Sequence, residues 1–373
     1  MKCDYDIAFA GAGLAAVSLA LRLIRLPHPP KIVLVDPRTS VERDRTWCHW
    51  EIHENPFTPA ISHRWNRWTV SSGQKTATGF SAAHPYVRLP ADRVHRMAEE
   101  QLLASPHVVV HRGPSVTAIE NFPGHTQLVL SDGKKITSAW TFDSRPLANK
   151  HAAWRQVFRG LEIHSPEAKL DEQAVTLMDF QSAGPEGIRF FYVLPLDKQT
   201  ALVEDTWLVP DGRSPDLNDE KIMAYAAAKL GPAGWQIRHR EEGDLPMGPA
   251  TESKAGCRTI RWGTPGGAVR ASSGYAFSRI QRASERMAAA WQKHGRPEER
   301  ATHEAPLVGW MDRVFLRVMQ KQPGRVPDFF LQLFQKVPSD SLVRFLESEP
   351  RPTDILRVMR ALPTKPFLAA AFS

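Results

Sequence analysis

Glu204 and Asp205 are adjacent acids inside an apolar run, with Ala201-Leu202-Val203 before them and Trp207-Leu208 after. Strands disfavour acids, and an uncompensated buried charge is costly. Alternation along a strand puts the two side chains on opposite faces, so one can face a cavity while the other anchors the strand. A carboxyl group held among apolar side chains has its pKa raised and can stay protonated near neutral pH, ready to act as a Brønsted acid. The plainer reading of the same residues is two solvated acids at a strand end.

The second chemistry-bearing stretch is at the start of the chain. Asp4 to Ala10 reads as a short buried strand, since Ile7, Ala8, Phe9 and Ala10 run apolar without a break. Gly11-Ala12-Gly13-Leu14-Ala15-Ala16 follows, then a helical run from Leu14 to Leu26, then a second strand from Ile32 to Val35 ending at Asp36. This is the glycine fingerprint of a dinucleotide site in its strand–turn–helix–strand setting. Gly11 lets the chain turn out of the strand, Gly13 clears the backbone for a pyrophosphate, and small Ala16 lets helix and sheet pack closely. The helix N-terminus beginning at Leu14 offers free N–H groups to phosphates. Asp36 sits where a carboxylate takes ribose hydroxyls, which points to FAD or NAD and away from the 2′-phosphate of NADP. Gly263 to Gly267 and Ser273-Gly274-Tyr275, followed by a helix from Ala276 to Lys293, form a second candidate anion cradle, assigned to the same cofactor.

Length and composition bound what these sites belong to. The 373 residues, 42% of them hydrophobic, allow two domains or one large one with insertions. Cys3, Cys48 and Cys257 are too few and scattered for a disulfide framework, which fits a reducing compartment. No stretch approaches the roughly eighteen uninterrupted apolar residues of a membrane span. The first strand begins so early that no room is left for a signal peptide. The expected location is cytoplasmic, peripherally associated with the inner face of a membrane. The formal net charge is +8, but its basic residues are dispersed among acids and no nucleic-acid-binding pattern is present. A basic surface facing solvent, or one attracted to anionic lipid head groups, accounts for the charge.

The remaining chain supplies the positioning elements. Strand segments are expected within residues 64 to 80, at Val108 to Val110 and at Ser115 to Ile119. A pair, Gln127 to Leu130 and Lys135 to Phe142, turns at Asp132-Gly133. A helix is expected over Ala91 to Ala104. The apolar strand ending in Phe142-Asp143-Ser144-Arg145 is placed beside the first unit. Residues 154 to 210 read as a second sheet, with β-rich runs at Val175 to Phe180, Arg189 to Leu194 and Thr200 to Trp207. A helix at Asp219 to Leu230 and a strand at Trp235 to Arg240 follow. From Leu307 onward, amphipathic helices rich in Phe and Leu are punctuated by Pro and flanked by Arg and Lys. They read as a helical cap, an interfacial surface that dips into a bilayer, or both. The expected class is α/β, a Rossmann-type FAD-binding domain with a discontinuous β-sheet substrate domain and a helical C-terminal region. Residues 1–150 and 256–300 are assigned to the cofactor domain, with 64–90 as a possible part of the substrate domain. Residues 151–255 form that substrate domain, and 301–373 the helical cap.

An ordered set of motifs carries a resemblance to a known family. They are IAFAGAGLAAVSLA with Asp36 at the next strand tip; RTWCHW (Arg45 to Trp50); FDSR (Phe142 to Arg145); Gln156-x-Phe158-x-Gly160; MDF (Met178 to Phe180); FFYVLP (Phe190 to Pro195); LVEDT (Leu202 to Thr206); and GTPGG…SSGYAF (Gly263 to Phe277). DRVFLRVM and ALPTKPF in the C-terminal region belong with them. Over nearly its whole length the chain resembles the bacterial lycopene cyclases, flavoproteins that close the ionone rings of carotenoids. Leu202-Val203 departs from the residues usual ahead of the acids, while Glu204 and Asp205 are intact.

The resemblance implies a lycopene beta-cyclase activity, an isomerase of the intramolecular lyase type that makes β-carotene via γ-carotene. It implies Glu204 as proton donor, with Asp205 as partner or fallback. It also implies an FAD that is active when reduced, with NADPH or NADH as reductant and no net redox. No second nicotinamide fingerprint is present, so the reductant binds transiently or a partner reduces the flavin. Cofactor contacts are implied at Gly11, Gly13, Leu14, Ala16, Asp36, Trp47, Asp143, Arg145, Gly266, Gly267, Gly274 and Tyr275. The implied partners are lycopene dissolved in a membrane and the membrane surface itself.

Two other readings compete. A flavin monooxygenase or isoprenoid reductase on the same scaffold usually carries an Asp-Gly pair on the returning strand and a Gly-Asp motif before the last cofactor helix. Asp143-Ser144 and Gly266-Gly267 stand there instead, which favours the cyclase. A non-enzymatic carotenoid-binding flavoprotein differs only in lacking activity. His49 and His53 have helical i,i+4 spacing but no helix signal and no third ligand, so no metal is expected; His49 is given no role.

Overall fold

The computed structural model describes residues 3–146, 153–248, 258–298 and 305–372. Cys257 and the expected boundaries at 150/151, 255/256 and 300/301 lie outside the described residues.

The Tyr5–Ala10 strand is fully buried from Ile7 onward because it runs in the middle of a sheet. It pairs in parallel with Ile32–Asp36 on one side and Lys135–Asp143 on the other. Val108–Arg112 extends the sheet past Ile32–Asp36, and Thr259–Arg261 pairs in parallel with Lys135–Asp143. Strands buried on both faces need continuous apolar runs, which is what IAFA and IVLV supply. The Leu14–Leu23 helix covers one face and is buried along almost its entire length. It is held between the Ala91–Leu103 and Phe277–His294 helices. An antiparallel meander, Val116–Phe122, His125–Leu130 and Lys135–Asp143, completes this seven-stranded sheet.

A second seven-stranded sheet runs in the order Gln236–Met247, Trp154–His164, Thr200–Pro210, Gly187–Pro195, Ala174–Gly184, Arg67–Ser72, Lys75–Phe80. The Arg67–Ser72 and Lys75–Phe80 hairpin, although early in the chain, docks on Ala174–Gly184 and forms that end of the sheet. At the other edge, Gln236–Met247 is longer than the expected Trp235–Arg240 segment. Its solvent side carries Arg238, Arg240, Glu242 and Asp244, so the sequence looks like a charged loop although every second residue turns inward.

A small third sheet of Thr46–Trp50, Tyr86–Pro90 and His63–Trp65 lies between the two large ones. Val87 and Leu89 face the first core, whereas Trp50, Trp65 and Tyr86 face the second. His49 is therefore on a strand. It is buried and stacked on Phe277 with ring centroids 4.2 Å apart, while His53 bonds Glu349 at 2.7 Å. Among the described residues no group of three His, Cys, Asp or Glu could hold a metal ion.

The helices Pro306–Lys321, Val326–Lys336, Ser339–Leu346, Pro352–Ala361 and Thr364–Ala371 complete the mixed α/β architecture with a helical C-terminal region. Val326–Lys336 packs on the Arg67–Phe80 hairpin through its apolar face, with Phe329 fully buried. Fully buried Arg270 pairs with Asp312 at 2.8 Å and ties the helical region to the segment before the Phe277–His294 helix. Leu356, Met359, Leu368 and Phe372 stay exposed on the last two helices and the residue after them. Among the described residues no helix is long and apolar enough to cross a membrane.

Candidate active site

Thr200–Pro210 is a central strand covered on both faces, which decides where its two acids go. Ala201 and Val203 pack beneath the Asp219–Lys229 helix with Ile222 and Tyr225. Leu202 and Leu208 belong to the other core, with Phe180, Phe190 and the C-terminal helices. Asp205 is fully buried, and Arg189 grips it with two hydrogen bonds of 2.8 Å. The guanidinium in turn lies 5.1 Å from the Phe191 ring centroid and 5.7 Å from that of Trp207. Asp205 thus anchors the strand and does not stand beside Glu204 as a partner.

Glu204 faces a cavity of about 1160 Å³ between the two large sheets. Its lining joins Gly13, Leu14, Ala15 and Gly267, beside the first core, to Phe330 and Phe334, beside the second. Burial, the Glu241 charge and a hydrogen bond with Glu241 all push the Glu204 carboxyl well above the usual range, against a smaller opposing pull from Arg88.

Glu241 is 4% exposed and sits on the neighbouring edge, beyond Trp154–His164. Gly160 pairs with Glu204 on one side and Glu241 on the other. A Cβ at Gly160 would lie 2.9 Å from Glu204 Cγ and 3.1 Å from Glu241 Cγ, so the missing side chain is what lets the carboxyls lean together. The whole Gln156-x-Phe158-x-Gly160 motif reads the same way. Gln156 closes over Gly274, Phe158 lies over Gly243, and Gly160 admits the two acids.

The wall beside Glu204 is aromatic. Tyr192, paired across from Glu204, donates to Tyr86 Oη at 3.0 Å, and Tyr86 and Tyr275 hydroxyls are 3.5 Å apart. Trp50 packs against Tyr86 and Tyr275 at 4.8 and 5.3 Å. Burial raises all three tyrosines and pushes the Cys48 thiol up to about 12, so this wall carries no charge near neutral pH.

The cofactor residues expected from sequence divide into two groups. Gly13, Leu14, Trp47, Gly267, Gly274 and Tyr275 line the same cavity as Glu204. Gly11, Ala16, Asp36, Asp143, Arg145 and Gly266 do not. Gly11, at φ +98°, packs against Ser144, and Ala16 is fully buried in the helix–sheet contact. Asp36 accepts the Ala12 amide at 2.7 Å and binds Arg38. Burial would raise this acid, but the hydrogen bonds from Arg38 and Ala12 outweigh it and hold the carboxyl at about 2. Asp143 and Arg145 pair with each other at 2.8 Å, leaving Ser144 and Pro146 to form the cavity wall.

The glycine end fits a dinucleotide. The Leu14–Leu23 helix has Gly13 as N-cap with no side-chain cap, and Gly13 and Leu14 lie on the cavity wall, so no capping side chain competes for its first amides there. A Cβ added at Gly13 would meet nothing within 4 Å, as a phosphate cradle requires. Gly267, in the left-handed region at φ +79°, brings backbone to the same end.

Comparison with known proteins bears on this arrangement. Residues 6–372 match the family model described as lycopene cyclase protein. A lycopene beta-cyclase of Pantoea ananas is 24% identical over 398 residues, covering 99% of this chain and 98% of the relative. One from a Paracoccus species is 26% identical over 392 residues, with 97% and 95% covered. Among solved structures, a flavoprotein/dehydrogenase from Cytophaga hutchinsonii superposes with a TM-score of 0.62 at 14% identity, covering 98% of each chain. The p-nitrophenol 4-monooxygenase PnpA from Pseudomonas putida gives 0.59 at 12% identity, covering 100% of this chain and 98% of its own. A variant of the halogenase PltM in complex with FAD gives 0.52 at 10% identity, with 91% and 78% covered. These neighbours share the fold of FAD-dependent flavoproteins.

Proposed function

Since the chain belongs to the lycopene cyclase family, we propose that it is a lycopene beta-cyclase in which Glu204 is the acid that starts ring closure. The observation that supports this most directly is a buried carboxyl on a central strand, raised by burial and then by Glu241, facing a large and mostly apolar cavity. Lycopene is a hydrocarbon with no polar handle, so it is held by burial of apolar surface at about 25 cal/mol per Å². Leu177, Met178, Phe190, Phe330 and Phe334 line the end suited to that purpose.

Glu204 delivers its proton to C2 of the terminal C1=C2 bond, whose electron pair becomes the new C–H bond and leaves a cation at C1. The C5=C6 pair then forms the C1–C6 bond. That leaves the cation at C5; a solvent water takes the proton from C6, and the C6–H electron pair returns a C5=C6 double bond and gives the β-ring. One proton enters and one leaves, so the reaction is an isomerisation. Tyr192, opposite Glu204, and Tyr86, hydrogen-bonded to Tyr192, present uncharged aromatic rings, each stabilising a cation by on the order of 1–2 kcal/mol when dry.

Gly13, Leu14, Gly267, Gly274 and Tyr275 would hold an FAD, reduced by NADPH or NADH. When bound and reduced, such a flavin would supply negative charge to the site. The exposed Leu356, Met359, Leu368 and Phe372, among Arg357, Arg360 and Lys365, form the surface we assign to the membrane and to entry of the substrate.

Protein reconstituted with FAD and NADPH and given lycopene in liposomes under anaerobic conditions is expected to yield β-carotene. Recovery of unchanged lycopene with the flavin shown to be reduced overturns the proposal. Glu204→Gln is expected to abolish cyclisation with the flavin spectrum intact.

A further inference from the structure

We infer that Glu204 and Glu241 share one proton as a carboxyl pair, with Glu241 the positioning residue that keeps Glu204 in its acid form and passes it a replacement proton after each ring closure. This rests on the reading of Glu204 as the acid.

The geometry is specific. The two residues are separated by a whole strand, and Gly160 between them removes the side chain that would hold them apart. Only Glu204 of the two lines the cavity. Glu241 stands behind it on an edge strand, so it acts through Glu204 and does not touch the polyene. Glu241 Oε2 accepts from Thr46 Oγ1 at 2.8 Å, while Oε1 is buried with no amide, hydroxyl or guanidinium donor among the described residues. Glu204 is the group that answers this acceptor, and it can do so only while one of the two carboxyls carries a proton.

The surrounding charges are arranged to hold one proton. Arg88 on Tyr86–Pro90 is 4% exposed and acts on both acids, but it is itself bound to Glu162 of Trp154–His164 at 3.3 Å. Arg43, from the segment before Thr46–Trp50, pairs with the same Glu162. Cys48 and Tyr192, the other titratable neighbours, stay neutral. His239 is two residues from Glu241 on the same side of the edge strand, half-buried, with a buried Nε2 that has no partner among the described residues. It feels both Glu241 and Glu162 and leads towards solvent.

After Glu204 gives its proton to C2, the pair holds two negative charges and no proton. Two adjacent buried carboxylates cannot both stay ionised cheaply, so the pair draws one proton back. It arrives from solvent on the Glu241 side, matching the one released from C6, and is passed to Glu204.

Infrared titration of the protonated-carboxyl band in substrate-free protein tests this, alongside the pH profile of cyclisation. Wild type should show such a band near neutral pH that is lost in Glu204→Gln. In Glu241→Gln, which keeps size and hydrogen bonding but removes the charge, the band should titrate at least about one pH unit lower. The alkaline limb of kcat should move with it while KM stays put. Thr46→Val, which strips the donor from Glu241, should move the titration the opposite way. A band and a limb both unmoved in Glu241→Gln overturn the proposal; should that variant not fold, an unmoved band in Thr46→Val does so. Failure of wild type to cyclise lycopene would sink the functional reading instead, and the band titration would still decide the pair.

Discussion

Gly160 lies directly across the sheet from Glu204, and the space its absent side chain leaves is filled by the Glu204 stem on one side and the Glu241 stem on the other. Glycine in a strand interior is otherwise unfavourable, since it packs nothing and is entropically costly. Gly160→Ala should therefore act on chemistry more than on folding. A methyl group forced to 2.9 Å from Glu204 Cγ must push at least one acid off its rotamer, at about 1–3 kcal/mol. The expected outcome is a fall in kcat of tenfold or more with the flavin still bound. Full activity in a steady-state assay would contradict it.

Asp205 predicts the reverse pattern. Asp205→Asn removes the charge facing Arg189, leaving a mostly buried guanidinium without its counter-ion. Breaking a buried pair costs about 3–5 kcal/mol, so the midpoint of denaturant unfolding should drop clearly. Because Asp205 points away from the cavity, protein that remains folded should keep cyclising lycopene. Loss of turnover at unchanged stability would return Asp205 to the chemistry.

Glu204 and Asp36, shifted in opposite directions, set opposite pH dependences of stability. Glu204 binds its proton more tightly folded than unfolded, because burial and then Glu241 raise it. Its contribution is complete below the unfolded value of 4.5 and is lost as pH rises towards the folded value. Asp36 is held at about 2, so its contribution is present above 3.8 and is lost as pH falls through about 2. Stability measured against pH should thus fall on the alkaline side less steeply in Glu204→Gln than in wild type. Asp36→Asn should flatten the acid side. Curves parallel to wild type in both variants would contradict the assignment.

The exposed apolar residues at the end of the chain make a further prediction. Met359→Glu combined with Leu368→Glu should weaken co-sedimentation with anionic vesicles several-fold, since both side chains are about half exposed and border basic residues. Turnover of lycopene supplied in liposomes should fall with it, while the FAD content is unchanged. Unaltered sedimentation would remove this surface from the account.

The strand–turn–helix–strand unit from Tyr5 to Asp36 was legible in the sequence because its signals are local. Apolar runs, glycine spacing and a terminal acid each report on a few neighbouring residues. The same holds for most strands and helices, and for the acids at 204 and 205, whose position in an apolar run marked them as unusual. The edge strand carrying Glu241 was only half legible. Its outward charges mask the inward alternation, and an acid among acids gives no local sign that it is buried.

What only the tertiary structure decided is which side chains meet. Alternation says that Glu204 and Asp205 face opposite ways, but not which one faces the cavity. That depends on the helix Asp219–Lys229 covering one face of the sheet and on Arg189 waiting there for Asp205. The pairing of Glu204 with Glu241 joins residues thirty-seven positions apart across an intervening strand. It depends on sheet order and register, which are set by the packing of the whole chain and not by any short stretch of it. The residue types for an acid and a dinucleotide site were in the sequence; the single proton-sharing arrangement was made by the fold.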